Sequence, residues 1–569
     1  MPILFSHGEG DAVCAGKGEA HAGAAESKNL CMCRSSKREN RETPPATVGQ
    51  LGRQVPSPMV RPENATCGNA GMNAGGKSDG SVVPAKPANK DAAGASAEQA
   101  EERGPAKRNA GQAALPRTQC RTQSRSRGLL GVREAARKDS KLKFTALLHH
   151  VDQDALLLAF NQLKKSAATG VDGVTWQDYG QNVEANLADL HGRIHRGAYR
   201  AKPSRRSWIP KPDGRKRPLG IAALEDKVVQ QAVATVLQSI YEEDFIGFSY
   251  GFRPGKSQHD ALDALSVAIT SKRVNWILDA DIEGFFDRID HDWLVKFLEH
   301  RIGDGRILRL VRKWLRAGVM EDGEWSPTTV GSPQGAVISP LLSNVYLHYV
   351  LDLWVKWWRG KHCQGDVVMV RYADDFVIGF QDRGEAERCL CELRGRMAEF
   401  GLKLHEGKTR LVEFGRHAAA DRGRRGEGKP ETFDFLGFTH MCSRTKAHGY
   451  FTIHRQTVAK RMRATLAAIK GQLRKRRHRP LAETGRWLGR VVQGWLNYHA
   501  VPGNPCPWRF VQEVTWQWLR AIRRRSQKGR SSCTWERLAR LREKYLPRVR
   551  VVHPYPSDRF RARLKAGAV

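Results

Sequence analysis

The stretch MVRYADDFVIGF, from Met369 to Phe380, constrains this chain more than any other. Seven of its twelve residues are Met, Val, Ile, Phe or Tyr, so it reads as a pair of buried strands. In its middle stand Asp374 and Asp375, adjacent and with no Lys inside the stretch to neutralise them. Two carboxylates at the tip of an apolar ribbon repel each other and need either full exposure or a cation. Alone, an Asp-Asp pair means no more than an exposed hairpin turn. A second strand end supplies its company. In LDADIEGFF, Asp281 begins a turn just after the apolar run Trp276 to Leu278. If the strands of Asp281 and Asp374 lie side by side, three oxygen-donor groups meet at one sheet edge. Hard oxygen ligands without His or Cys suit Mg²⁺. Two such ions about 3.5–4 Å apart can activate a 3′-hydroxyl and stabilise a leaving pyrophosphate.

The charge balance agrees with a phosphate-rich partner. The 569 residues carry a formal net charge of +36, too basic for an ordinary enzyme of small anions and suited to nucleic acid bound through counterion release. An anionic membrane is the rival reading. No apolar run approaches the roughly 20 residues of a spanning helix, and Met1 to His7 has no signal-peptide pattern. The eleven cysteines are scattered, with C-x-C pairs at Cys31/Cys33 and Cys389/Cys391 but no second pair at zinc-finger spacing. They read as free thiols, and the expected location is the cytoplasm, with association to the nucleoid possible in principle.

Along the chain, residues 1–125 hold only twelve Leu, Ile, Val or Phe and no Trp or Tyr. That is below what a core requires, so a disordered basic extension is expected, with order beginning near Ser140. From there helical and extended patterns alternate, and the class is α+β with antiparallel pairing at the ribbon. The segment FTALLHHVDQDALLLAFNQLKK has helical spacing, and RRSWIPKPDGRKRPLGI reads as two extended pieces around a Pro-Asp-Gly turn. Residues 455–569 hold 29 Lys or Arg against 5 Asp or Glu, and six of the fifteen Trp. A basic helical domain over 456–545 with interleaved aromatics suits a nucleic-acid platform. Its Trp are expected mostly in the core and its Arg on the binding face. Residues 546–569 read as a basic tail.

Several motifs, in order, resemble the reverse transcriptases encoded by bacterial group II introns, the intron reverse transcriptase/maturases. They are IPKPDGRKRPLGI, SYGFRPGKSQHDAL, DADIEGFFD, GSPQGAVISPLLSNVYL, RYADDFVIGF, GLKLHEGKTRLVEFG, FDFLGF and GWLNYH, spread over about residues 140–510. The resemblance implies a right-hand fingers-palm-thumb polymerase, with fingers and palm over 126–455 and an antiparallel palm sheet. It implies copying of RNA into DNA from dNTPs with two Mg²⁺. Its partners would be the chain's own group II intron RNA, a primed RNA template and target DNA, with no membrane.

Residue by residue, Asp281, Asp374 and Asp375 match the family's catalytic carboxylates, and Ile282 would offer a backbone carbonyl to a metal. Lys211 and Arg217 fall where the family grips the triphosphate, and Lys408 lies near the phosphates. Phe286 matches the bulky residue beneath the sugar; Gln334 and Gly335 would sit against template and nucleotide. Arg474, Lys475, Arg476 and Arg477, with Arg486 and Arg490, are the expected RNA-binding residues. Asp279, Asp287 and His259 are read as structural. The paired Cys and His of the nuclease carried by some relatives are not seen after the maturase-like segment, where only Cys533 and His553 remain, so that nuclease is expected to be absent. Two alternatives stay open: a relative used in defence or diversification, and a non-catalytic RNA-splicing factor.

Overall fold

The computed structural model describes residues 119–566 except 211–215, 332–334, 446 and 526–533. Most of the segment expected to be disordered, together with Lys211 and Gln334, lies outside the described residues. Order begins earlier than Ser140, with helix α1 at Gln119–Lys138. This helix is too polar to announce itself by periodicity. Ala136, Leu129 and Val132 pack it on the core, and charge adds to this: Arg137 pairs with Glu243 at 2.9 Å, and the buried Arg301 donates to the carbonyls of Ala136 and Asp139 at its C-terminus.

The long pattern after Ser140 is also not one helix. Asp152 caps a new start by accepting from the Ala155 amide, so a short 3₁₀ turn at Leu148–His150 precedes α2 at Gln153–Gln162. Helices α3 (Trp176–Gly180) and α4 (Val183–His195) follow. The two extended pieces expected on either side of Pro-Asp-Gly form β1 at Ser204–Pro210 and β2 at Lys216–Ile221, antiparallel with Ile209 opposite Arg217, while Pro-Asp-Gly itself lies outside the described residues. Helices α5 (Leu224–Asp244) and α6 (Gln258–Ser271) come next. Strand β3 (Trp276–Asp281) leads into α7 (Phe285–Arg288), α8 (His291–Glu299) and α9 (Gly305–Arg316). Short strands β4 (Val319–Glu321) and β5 (Glu324–Ser326) complete a sheet in the order β2-β1-β4-β5, where β1 and β4 run parallel.

The helix after Ala336 is interrupted. α10 (Ser339–Leu347) passes through a π turn, His348–Asp352, into α11 (Leu353–His362). The ribbon then forms β6 (Val367–Tyr372) and β7 (Asp375–Phe380), followed by α12 (Arg383–Glu399) and β8 (Arg410–Glu413). These strands and β3 make a fully antiparallel sheet, β6-β7-β3-β8. Alternate residues enter two separate cores: Leu278, Ala280, Phe376 and Ile378 one, Ile277, Val377, Val368 and Val412 the other. Burial on both faces explains why the ribbon is apolar almost throughout.

Helix α13 (Ala418–Arg424) leads to a third sheet, β11-β10-β9, from β9 (Phe433–Phe435), β10 (Phe438–Arg444) and β11 (Phe451–Thr457). Helices α14 (Ala459–Lys475), α15 (Leu481–His499), α16 (Cys506–Arg523) and α17 (Trp535–Tyr545) then enclose a core of their own around Leu488, Trp495, Phe510 and Trp518. The segment read as a basic tail carries α18 (Pro556–Ala566). Its Arg559 reaches the buried Asp263 of α6 at 3.2 Å, beside Arg455 of β11 at 2.6 Å. Cys363, Cys389, Cys391, Cys442 and Cys506 are free thiols. Among the described residues no helix is long and apolar enough to cross a membrane.

Candidate active site

The antiparallel register of β3 and β7 sets Asp281 directly opposite Asp375, so the two point to the same face. Asp374 occupies the turn between β6 and β7, next to Ala373, whose φ is +57°. The strands lie side by side as the sequence led us to expect, and their charges act on one another. Burial raises the Asp374 carboxyl above its usual range, Asp281 adds to the rise, and Arg217 opposes it. Asp375 stands at the exposed end of β7, yet the protein packed around its carboxyl, followed by the charges of Asp374 and Asp281, pushes it up to about 7.

The expected three-way convergence is not formed by the side chains as they stand. Among the described residues no three Asp, Glu, His or Cys groups close around one point. Asp281 is instead engaged by the ammonium of Lys408, while its carbonyl accepts from the His405 amide at 2.8 Å. Lys408 was expected near phosphates; here it is the counter-charge of a carboxylate. The donor set nonetheless fits a hard divalent cation: every side-chain donor is oxygen, and the raised Asp374 and Asp375 mark negative charge in want of compensation. Ile282 is buried and bridges Leu404, which holds the chain leaving β3 against the approach to β8.

Around the acids, Phe285 is the core residue and Phe286 is half-buried, its ring edge-on to Phe285 at 5.4 Å. Gly335 has φ +112°, and a Cβ there would lie 2.9 Å from the Gly220 carbonyl of β2. Only glycine meets both demands, so this loop is pinned against the strand that carries Arg217. Asp279 pairs with Arg410 at 3.3 Å, and Asp287 is exposed. His259, read as structural, is buried and stacks on His553 at 3.8 Å. Of the expected RNA-binding residues, Arg474, Lys475, Arg486 and Arg490 are exposed. Arg476 is half-buried over the Trp487 ring at 4.8 Å and 3.6 Å from Glu483; Arg477 is also half-buried. The Trp are divided: Trp495 and Trp518 are core, but Trp508 is 53% and Trp516 38% exposed.

Sequence reasoning missed the support beneath the turn that carries Asp374. Arg371, one strand residue before Tyr372, is fully buried and grips the equally buried Asp352 through two hydrogen bonds, at 2.7 and 2.5 Å. Its other nitrogen donates to the Ala373 carbonyl at 2.9 Å and to Asn344 Oδ1 at 3.0 Å. Asn344 donates onward to the Gly251 carbonyl at 2.7 Å. Gly251 packs so closely on the turn that a Cβ there would stand 2.2 Å from the Ala373 nitrogen. Thus the SYGF segment, α10 and the π turn all converge on the peptide that positions Asp374. A buried Arg looks like a surface Arg in sequence; the one available signal was its place inside an otherwise apolar strand.

A sheet end that gathers carboxylates, faced by an Arg on a neighbouring hairpin and followed by a basic helical region, belongs to the nucleic-acid polymerases. Residues 209–440 match the reverse transcriptase (RNA-dependent DNA polymerase) family. The chain is 34% identical to protein YkfC of Escherichia coli, over 48% of this chain and 81% of that one. It is 35% identical to the group II intron-encoded protein LtrA of Lactococcus lactis, over 38% of this chain. To a 91 kDa protein in the cob intron of Schizosaccharomyces pombe it is 37% identical, over 35% of this chain. It spans 37% of the length of LtrA and 24% of that of the cob intron protein. The chain belongs to the group II intron reverse transcriptases and maturases, the RNA-directed DNA polymerases of these introns. Enzymes of this kind use a divalent cation and deoxynucleoside triphosphates.

Proposed function

We propose that the chain extends a DNA primer on an RNA template at the Asp281–Asp374–Asp375 end of the central sheet, and that it binds its own intron RNA through the helices after residue 455 to assist splicing and mobility. The observation that carries the first part is the register pairing Asp281 with Asp375 across β3 and β7, with Asp374 on the adjoining turn. In this reading the β2-β1-β4-β5 sheet is the fingers, the central sheet the palm and α14–α17 the thumb and maturase region. Asp281, Asp374 and Asp375, with the Ile282 carbonyl, would hold two Mg²⁺, which when bound supply Lewis-acid stabilisation to the attacking and leaving oxygens.

The chain's own residues then have separate tasks. Arg217, whose charge already acts on Asp374, offers a fork to the triphosphate, and Lys211, six positions earlier in the sequence, a point charge. Lys408 neutralises Asp281 before substrate arrives and is placed to turn to phosphate afterwards. Phe286 presents its half-exposed ring beneath the sugar, where it excludes a 2′-hydroxyl. Gly335 lets backbone approach the nucleotide beside Gln334. The exposed Trp508 and Trp516 and the exposed Arg of α15 give the helical region faces for bases and phosphates. The expected partners are intron RNA, primed RNA template and target DNA, and the expected location is cytoplasmic.

Primer extension on an RNA template tests the assignment. Asp374→Ala should reduce cDNA synthesis by several orders of magnitude while intron binding and splicing persist, since the substitution lies far in sequence from the basic region. Near-normal synthesis by that variant would refute the site.

A further inference from the structure

A cleft of about 540 Å³ lies away from the carboxylates, between α9 and the loop that follows α4, lined by Arg200, Ala201, Arg309, Arg312, Lys313, Arg316 and Ala317. We infer that this cleft is a second nucleic-acid site, one that grips the phosphodiester backbone of an RNA or DNA duplex independently of its sequence.

The argument begins with α9. Its sequence GRILRLVRKWLR buries Ile307, Leu308, Leu310, Val311, Trp314 and Leu315 on one side. The spacing puts Arg309, Arg312, Lys313 and Arg316 together on the other, at i, i+3, i+4 and i+7. Two of these cations hold structure. Lys313 donates to the Gly197 and Tyr199 carbonyls and so ties the loop to the helix. Arg312 pairs with Glu299 at 2.8 Å. Arg200, Arg309 and Arg316 are exposed, and among the described residues no acidic one lines the cleft with them. Like charges set together without a counter-charge repel each other, and a polyanion relieves that repulsion.

The remaining wall chemistry selects the kind of polyanion. Apart from the cations the lining is two alanines, so no aromatic ring meets a base and no acceptor meets its edge. With cations as its only polar groups, the contacts the cleft favours are to phosphate, which position a duplex without reading it. Arg309 and Arg316 are two turns apart, about 10 Å along the axis, enough to engage more than one phosphate. The lining ends three positions before β1, at Ala201, and two before β4, at Ala317, at the root of the hairpin sheet that carries Arg217.

The test is binding of the full chain to a hairpin RNA without intron sequence, and separately to a DNA duplex of matching sequence, across a KCl series. The triple variant Arg200→Gln, Arg309→Gln, Arg316→Gln spares Arg312 and Lys313, and melting curves establish that it folds. The slope of log affinity against log salt should become shallower by about 2 for at least one of the two duplexes, near 0.7–0.9 for each phosphate that is no longer neutralised. The Arg→Lys triple variant should keep most of the slope. Unchanged slopes for both duplexes in the folded Gln variant would overturn the cleft. The inference rests on the polymerase reading only for its choice of partner: loss of primer extension in Asp374→Ala tests that reading, and the salt slope tests this one.

Discussion

The end of the central sheet and the helices after residue 455 solve opposite problems. At the sheet end, carboxylates on paired strands and on the adjoining turn are set near one another against their own repulsion by position: the strand register, a turn residue at positive φ, and a buried Arg371–Asp352 clasp beneath. In the helical region a net charge of +24, from 29 basic and 5 acidic residues, is spread over exposed faces around an apolar core. The first arrangement depends on individual atoms and should fail when one is removed. The second depends on summed charge and should fade by degrees. That contrast is what the following experiments can break.

The largest effect is expected at the clasp. Removing one partner of a fully buried ion pair leaves the other uncompensated and costs about 3–5 kcal/mol. Asp352→Ala should therefore lower thermal stability strongly and abolish extension. The sharper variant replaces both, Arg371→Met with Asp352→Leu, because a buried pair exchanged for apolar groups of similar size can be nearly neutral in stability. The double variant should regain most of the lost stability in a melting experiment and still extend poorly, since the Ala373 carbonyl and Asn344 are then without their donor. Full recovery of extension would show the clasp to be scaffolding alone.

This clasp also marks where the sequence stops being informative. Strand pairing around Asp374 was legible because alternation and apolar runs encode it, and β1 and β2 because Pro-Asp-Gly encodes a turn. The clasp was not, because it joins residues from four segments through a π turn that no periodicity announces. Helix α1 was hidden for a related reason: beside the few apolar contacts of Leu129, Val132 and Ala136, ion pairs to Glu243 and the Arg301 caps hold it, and these leave no local pattern. The motif around Lys408 points toward the acids, but its partner Asp281 is 127 positions away, and no local pattern names it. The aromatic character of α16 was legible, but which tryptophans face outward depends on helix packing.

A smaller effect concerns acid. His440 of β10 is fully buried, stacked on Phe433 at 4.8 Å, and burial lowers its pKa to about 3. An unfolded His takes up a proton below about 6.5, and the folded one does not. Its contribution to stability is thus complete above that pH and is lost as pH falls toward 3, at up to about 1.4 kcal/mol per pH unit. His440→Phe should keep the stacking and flatten the dependence of stability on pH by close to one proton between pH about 6 and 4. An unchanged acid profile would place the lability in other histidines. A profile dominated by the basic helices would weaken the contrast between the two regions.

The smallest effect per residue is expected on the helical face, and the structure dictates which residues can be used to measure it. Arg476 is a poor probe: it covers the Trp487 ring and approaches Glu483, which also binds Arg479 at 2.7 Å. Reversing its charge would disturb the packing of α14 on α15 and confuse loss of fold with loss of binding. Arg474 and Lys475 at the end of α14, and Arg486 and Arg490 one turn apart on α15, are exposed. Their replacement by Gln leaves the buried face of either helix intact. Each replacement should reduce intron affinity modestly and make the salt dependence shallower by roughly 0.7–0.9 for every phosphate left without its cation. The four together should approach a change of about 3 in slope. Extension of a short primed template at low salt should change little, because the carboxylates and their clasp are untouched. Filter binding and primer extension on the same variants separate the outcomes. If one substitution alone removes intron binding, the helical face reads particular atoms as the sheet end does. If extension falls in step with the salt slope, the two regions act on one bound nucleic acid.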